Sequence, residues 1–560
     1  MRSRILTATV AVAAALLLAG CAGIPQSGAP RIGQPVERAE DAEVEFLPEG
    51  PESGASQERI LRGFIEAASS PREDYATARE YLAPEIRADW NPDLNVIVDA
   101  AGEREYESLD KTSMQLTVVP LADVNEQGEY TEFTSRTPLI QGYSFTQVKG
   151  EWRISVAPDR VILDPQQFDE VFSPYAVTFF DPSWTYLVPD LRWFPSRAST
   201  GTRIVKALLE GPSPLLAGAV TTAFPEGTTL TKNAVPVVGD VAQIDLSSEV
   251  FQADEPTLQR MQAQLSGSLT GVSSINSVSI TVNNNTENIP ALAVPTPRVD
   301  PRALVLTPDG FGFLSSGDSL ERLDGISPQI EALAPSAVVV NATHSLAAAR
   351  TASGVFAVRS SGSEPLRVDA RPDLIAPSLD RFGYIWSVPS SRPGALLVSR
   401  SDGSQSEVLT SWPEASSILS IAVSRDGTRV LALVRVGDES RLLVAGIQRG
   451  KDDAPVSLGD AQSLAVGAGT AVTSTWVDDL TVATLTTTPD GSTDVVKQVI
   501  GGQSEILQGP AGARSLVAGS GLRQLRAVQV GGDLTALRTS AWQVVGSDVS
   551  LIATQLGNAG

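Results

Sequence analysis

Cys21 is the only cysteine and His344 the only histidine among 560 residues, so thiol and imidazole chemistry have one seat each. The thiol stands where an apolar run stops: Arg2 and Arg4 open the chain, Ile5 to Leu18 carry no charge, and Ala19 and Gly20 precede Cys21. That is the three-part layout of an export signal, and it is shorter than the ~20 apolar residues a spanning helix needs. A thiolate there is a good nucleophile, and small neighbours let a processing site reach the backbone. His344, in "NATHSLAAAR", is the single base available to a Ser-His-Asp triad, yet no G-x-S-x-G elbow lies nearby, so it reads as a turn histidine. A zinc centre of several Cys or His ligands is excluded by count. Among 65 acidic residues a glycosidase pair needs only spatial proximity, but Asp309, Asp426 and Asp490 each precede a glycine, and a turn already explains them. "KDDAP" and "VDDLT" do not match an alternating calcium loop, and "AVGAGTAV" lacks the lysine and glycines of a phosphate fingerprint. No catalytic residue, metal or cofactor is expected.

Leu18, Ala19, Gly20 and Cys21 together resemble the lipobox of bacterial lipoproteins. The resemblance implies a signal peptide at 1–20, cleavage between Gly20 and Cys21, and acylation of Cys21 by diacylglyceryl and palmitate. Two or more chains give the strength that stable anchoring requires. The expected location is the extracytoplasmic face of the cell membrane. The formal net charge of −23 repels phosphate backbones and anionic lipid, and no basic patch with interleaved aromatics occurs, so nucleic acid is not an expected partner.

The remaining chain divides by pattern. Residues 21–52 mix proline, glycine and carboxylates and read as a flexible tether. In 53–165, Ile60, Leu61, Phe64 and Ile65 form a helical stripe, and period-two segments then run to "EWRISVAPDRVIL", with a Lys149-Gly150 turn before it. This is an α+β domain that looks like the NTF2-like fold; Trp90, Tyr143 and Trp152 could line its pocket, although core is the simpler role. Residues 174–285 form a second α+β unit, with a helix ended by Gly211-Pro212 and a Gly239-Asp240 hairpin. Its phrases "LLEGPSP", "AFPEGTTL" and "AQIDLSSE" resemble the GerMN domain, which implies a binding module.

A linker at 286–302 leads to an all-β region, 303–560. It repeats an apolar strand, a polar turn and a second strand at 304–316, 338–350, 375–388, 421–434, 472–485 and 516–530. Recurrence every ~35–50 residues predicts propeller blades, six of them or alternatively seven, with "VSLIATQ" pairing back into the first. A β-sandwich is the competing fold. The whole order resembles the actinobacterial LpqB lipoprotein family, and that resemblance implies an accessory of the Mtr two-component system, touching the outer domain of its sensor histidine kinase. The alternatives are a cell-wall glycan hydrolase using paired carboxylates and an envelope small-ligand sensor.

Overall fold

In the computed structural model, which describes residues 48–196, 199–282, 285–286, 289–315, 319–556 and 558–559, the first element is helix α1 (Gln57–Ala67). The lipobox Leu18, Ala19, Gly20 and Cys21, with its leader, lies outside the described residues, as does the tether up to Leu47. The end of the tether is already held: Tyr81 donates to the Glu49 carbonyl, and Arg59 pairs with Glu52. Ser56 caps α1 by accepting from the Arg59 amide, and Ile60, Leu61, Phe64 and Ile65 turn inward as their spacing predicts.

After α2 (Ala76–Glu80) come β1 (Asn95–Asp99), β2 (Glu105–Ser108), β3 (Ser113–Val118), β4 (Pro120–Asn125), β5 (Tyr130–Glu132), β6 (Leu139–Val148), β7 (Glu151–Val156) and β8 (Val161–Leu163). They form two sheets, ordered β5-β4-β1-β8 and β2-β3-β6-β7. Lys149 and Gly150 both adopt positive φ, which lets β6 turn tightly into antiparallel β7. Trp90 and Tyr143 are packed with Phe64 in the core, with Trp152 against its edge, so core is the role these aromatics take.

Helix α3 (Pro165–Val171), begun by a capping box between Asp164 and Gln167, runs straight into β9 (Phe172–Phe180). Antiparallel β10 (Leu187–Pro195) follows, then α4 (Thr200–Glu210), ended by Gly211. Next come β11 (Val237–Val238), β12 (Val241–Leu246), α5 (Glu255–Leu269) and β13 (Ser277–Val282). Strands β12 and β13 pair in parallel, with α5 as the crossover, while Gly239-Asp240 makes the β11–β12 hairpin.

The all-β region contains six successive sheets among the described residues. The last five take their main strands in chain order, within 337–369, 378–407, 417–458, 470–508 and 513–546, and Gln462–Leu464 also pairs with the third strand of the fourth sheet. The first is different: Leu304–Thr307, Gly310–Leu314 and Leu320–Glu321 receive their innermost strand, Leu551–Ile552, from the far end of the chain. Thr554–Gln555 then pairs in parallel with the second sheet. The innermost strands touch in order, and the C-terminal pair touches both the sixth sheet and the second. Each gap between neighbouring sheets is filled by apolar side chains, such as Trp386, Ile418 and Val430 between the third and fourth.

Two details of the all-β region go beyond the sequence pattern. The second half of the segment expected as a linker is built into the fold: Pro297–Arg298 pairs with Asn558–Ala559, and the Val299 amide donates to Ser520. The hairpin at 304–316 is also out of phase with the others, because it joins the second and third strands of its sheet whereas the other five join first and second. The missing inner strand, supplied from the C-terminus, is the reason.

Candidate functional site

The described residues from Pro48 onward make one compact unit, and bonds between its three parts gather at two places. Trp193, on β10, reaches all three. Its ring lies 5.5 Å from Tyr130 and 4.9 Å from Phe168 in the first core, its indole N–H donates to the Gly501 carbonyl at 2.8 Å, and its amide donates to Gly128. Gly128 has positive φ, and a Cβ there would stand 2.8 Å from the Trp193 carbonyl, so only glycine fits this approach. Beside it, buried Arg192 donates to Asp190 and to the Gln127 carbonyl, and Asp190 also accepts from the Ser213 amide. Ser504 and Gln503 bond to Glu132 and Asp169 on the first part.

A second seam joins the β9–β10 loop to the turns of the all-β region. Arg381 donates to Asp181 at 2.7 Å and lies over the Tyr186 and Phe382 rings at 4.6 and 4.9 Å. Asp181 is fully buried and accepts from the amides of Ser183, Thr185 and Tyr186. Within the turns one device recurs: Asn341, Asp380, Asp426 and Asp478 each fold back to accept from amides two to five residues onward. Buried arginines neutralise two of them, Arg449 at 3.0 Å from Asp380 and Arg429 at 2.8 Å from Asp426. Burial would push Asp426 up, but Arg429 and its hydroxyl donors Ser424 and Thr428 hold it below the usual carboxylate range. Its neighbour Asp479 is pushed up to about 6, by burial first and then by the charge of Asp426.

Beside the first seam lies a cavity of about 300 Å³, lined by Tyr130, Leu191, Leu216, Arg429 and Ile500 among others. It is mostly apolar, as expected of space left where separate cores abut.

Of the residues singled out from sequence, Asp426 belongs to the second seam, while His344 and Asp490 sit elsewhere. His344 occupies a turn at positive φ, and its ring packs 5.4 Å from Phe313. Burial lowers its pKa, and the nearby charge of Asp300 offsets part of that. Asp490 is an exposed turn carboxylate held at about 2 by Thr488 and Ser492, whereas Asp426 is buried in the seam. No cluster of three or more metal-ligating side chains occurs among the described residues. Sequence reasoning missed Trp193, Asp181 and Arg381. The string "FFDPSWTY" does carry a signal for Asp181, an Asp followed by Pro and Ser, which predicts a carboxylate capping its own turn.

Three family models match in the same order as these parts. Residues 50–169 match "Lipoprotein LpqB, N-terminal domain", 176–288 match "Sporulation and spore germination", and 313–550 match "Lipoprotein LpqB beta-propeller domain". Among curated proteins, Lipoprotein LpqB of Bifidobacterium longum is 25% identical over 603 aligned positions, covering 98% of this chain and 99% of that one. The Thermobifida fusca protein of the same name is 27% identical, covering 80% and 82%. The Cutibacterium acnes protein is 29% identical over 283 residues, 50% of this chain and 47% of its own. This chain therefore spans about half the length of that relative. Of solved structures, the first GerMN domain of GerM from Bacillus subtilis is 21% identical, covers 22% of this chain and 95% of its own, and has a TM-score of 0.19. TolB from Acinetobacter baumannii is 12% identical, covers 45% and 66%, and has a TM-score of 0.34.

Proposed function

Because this chain belongs to the LpqB lipoprotein family, we propose that it is a lipid-anchored interaction protein of the outer face of the cell membrane. In this reading it binds the extracytoplasmic domain of a sensor histidine kinase and modulates two-component signalling in envelope homeostasis and cell division. Cys21 is the acylated residue, Gly20–Cys21 the cleaved bond, and the partner is met through surface contact, with no reaction catalysed. The first α+β part is NTF2-like, the second GerMN-like, and the six sheets are six propeller blades.

The observation that supports it best is the double seam. Trp193 and Arg381 lock three parts into one body, and a rigid body offers a composite surface at little ordering cost on binding. The anchor adds a second advantage, since confinement near the membrane raises the effective concentration of a membrane partner. No helix among the described residues is long and apolar enough to cross a membrane, so in this reading attachment rests on Cys21.

The test is a titration of the chain from Ala22 onward against the kinase's extracytoplasmic domain at low and high salt, paired with a turnover assay on cell-wall glycan. Saturable binding without turnover is expected, weakening with salt where basic residues on the partner meet this acidic chain. Absence of binding at either salt, with turnover abolished by one carboxylate substitution, would sink the proposal in favour of a hydrolase. Mass spectrometry of the native protein tests the anchor: its first residue should be a lipid-modified Cys21.

A further inference from the structure

The innermost strands of the all-β region enclose a channel of about 510 Å³, within the range of small-molecule sites. Its charged lining is one-sided, with Arg350, Arg425 and Arg514 against a single aspartate, Asp373. Asp373 is engaged with the Ser391 amide. In a chain of net charge −23 this is a local reversal of sign.

Arg425 stands where the strand Ser417–Val423 ends in its turn, and is 8% exposed. Its terminal nitrogens reach the carbonyls of Val477, Ala518 and Gly519 on the next two sheets. Its Nε has no hydrogen-bond partner among the described residues. The carboxylates nearest to it, on Asp479, Asp478 and Asp426, act through space without forming an ion pair among the described residues, and Asp426 is committed to Arg429. A buried cation with an open donor is costly unless an acceptor comes to it.

The walls are hydroxylic. Ser420 and Ser474 bond to each other across adjacent sheets, and Ser378 accepts from the Val423 amide. Thr473, Ser515 and Thr554 also line the channel. At the other end of the inner strands stand Arg350 and Arg514, the latter fixed by the Ser550 carbonyl.

We propose that this channel is a binding site for a small hydroxylated anion, a sugar acid or a sugar phosphate. The anionic group is drawn by the arginines, while its hydroxyls bond to the serine and threonine walls. In a chain of net charge −23, three arginines lining one channel give an anion a local attraction that the overall charge opposes. This goes beyond the kinase-binding reading and does not depend on it.

The experiment is thermal unfolding and calorimetric titration of the full chain in detergent with glucuronate, glucose 6-phosphate and glucose, at matched ionic strength. The variants are Arg425→Met and the rim double variant Arg350→Gln/Arg514→Gln. The second keeps the test informative if the buried substitution prevents folding. Expected is saturable binding of at least one anion at probe concentrations up to about 10 mM, none of glucose, and a loss of about tenfold or more in the double variant. Glucuronate alone would identify the carboxylate as the recognised group, and glucose 6-phosphate alone the phosphate ester. An equal response to glucose, unchanged binding in the double variant, or no response to either anion would overturn the proposal.

Discussion

Arg381 and Asp181 are 200 residues apart in sequence and 2.7 Å apart in space. Asp181 is fully buried and keeps its amide donors whether or not Arg381 is present, so the arginine supplies the counter-charge and the link between parts. Arg381→Met should cost ~1.5–3 kcal/mol, the worth of a hydrogen bond to a charged group. Arg381→Met with Asp181→Asn should cost less than the two single variants added, because the second removes the charge that the first strands. Denaturant midpoints of the four proteins check this; strict additivity would mean that the pair is not coupled.

Trp193 separates packing from bonding. Trp193→Phe keeps an aromatic against Tyr130 and Phe168 but loses the donor to Gly501, and should cost ~0.5–1.5 kcal/mol. Trp193→Ala empties the ring's place as well and should cost ~3–5 kcal/mol. Limited proteolysis of the alanine variant should release the α+β parts from the all-β region, whereas the phenylalanine variant should resist it.

Asp479 gives a dependence on pH with a definite sign. Its carboxyl is raised from 3.8 to about 6, by burial and by Asp426, so the folded chain holds this proton more tightly than the unfolded chain does. This contribution is favourable below pH 4 and is lost as pH climbs through about 6. Asp479→Asn should therefore stabilise by about 3 kcal/mol at pH 7.5 and by only ~0.5 kcal/mol at pH 4. Melting curves of both proteins at the two pH values decide it, and an equal shift at both would show that the carboxylate's charge is not the cause.

Truncation after Asp548 removes both Leu551–Ile552 and Thr554–Gln555, the strands that join the first sheet to the sixth and second. The truncated chain should lose the cooperative melting of the all-β region, and amides of Leu304–Thr307 should exchange with solvent. Retained cooperativity would mean that the C-terminal strands decorate a region that holds itself together.

Much of this architecture was legible in the sequence because it rests on local pattern. The stripe of Ile60, Leu61, Phe64 and Ile65, the turn at Lys149-Gly150 and the hairpin at Gly239-Asp240 are each decided by neighbours a few residues away. Asp-Gly was a less reliable guide, since Asp426-Gly427 joins first and second strands whereas Asp309-Gly310 and Asp490-Gly491 join second and third. One dipeptide serves two kinds of hairpin, and it hides the phase of the repeat. The seams were not legible at all. Gly446 reads as a glycine inside a strand, yet a Cβ there would stand 2.5 Å from the Leu215 carbonyl, and nothing within a few residues of either position foretells that approach. The lipobox is the reverse case, written plainly in sequence but outside the described residues.

The C-terminal strand also sets an order in time. A chain that emerges N-terminus first can complete its α+β parts early, but the first sheet must wait, with the edge of Leu304–Thr307 bare, until Leu551–Ile552 arrives. A product stopped before Leu551 keeps that edge open, and an open edge invites foreign strands and proteases alike. Closure by Leu551–Ile552 thus makes the exposure of the first sheet's edge depend on a strand far later in the chain.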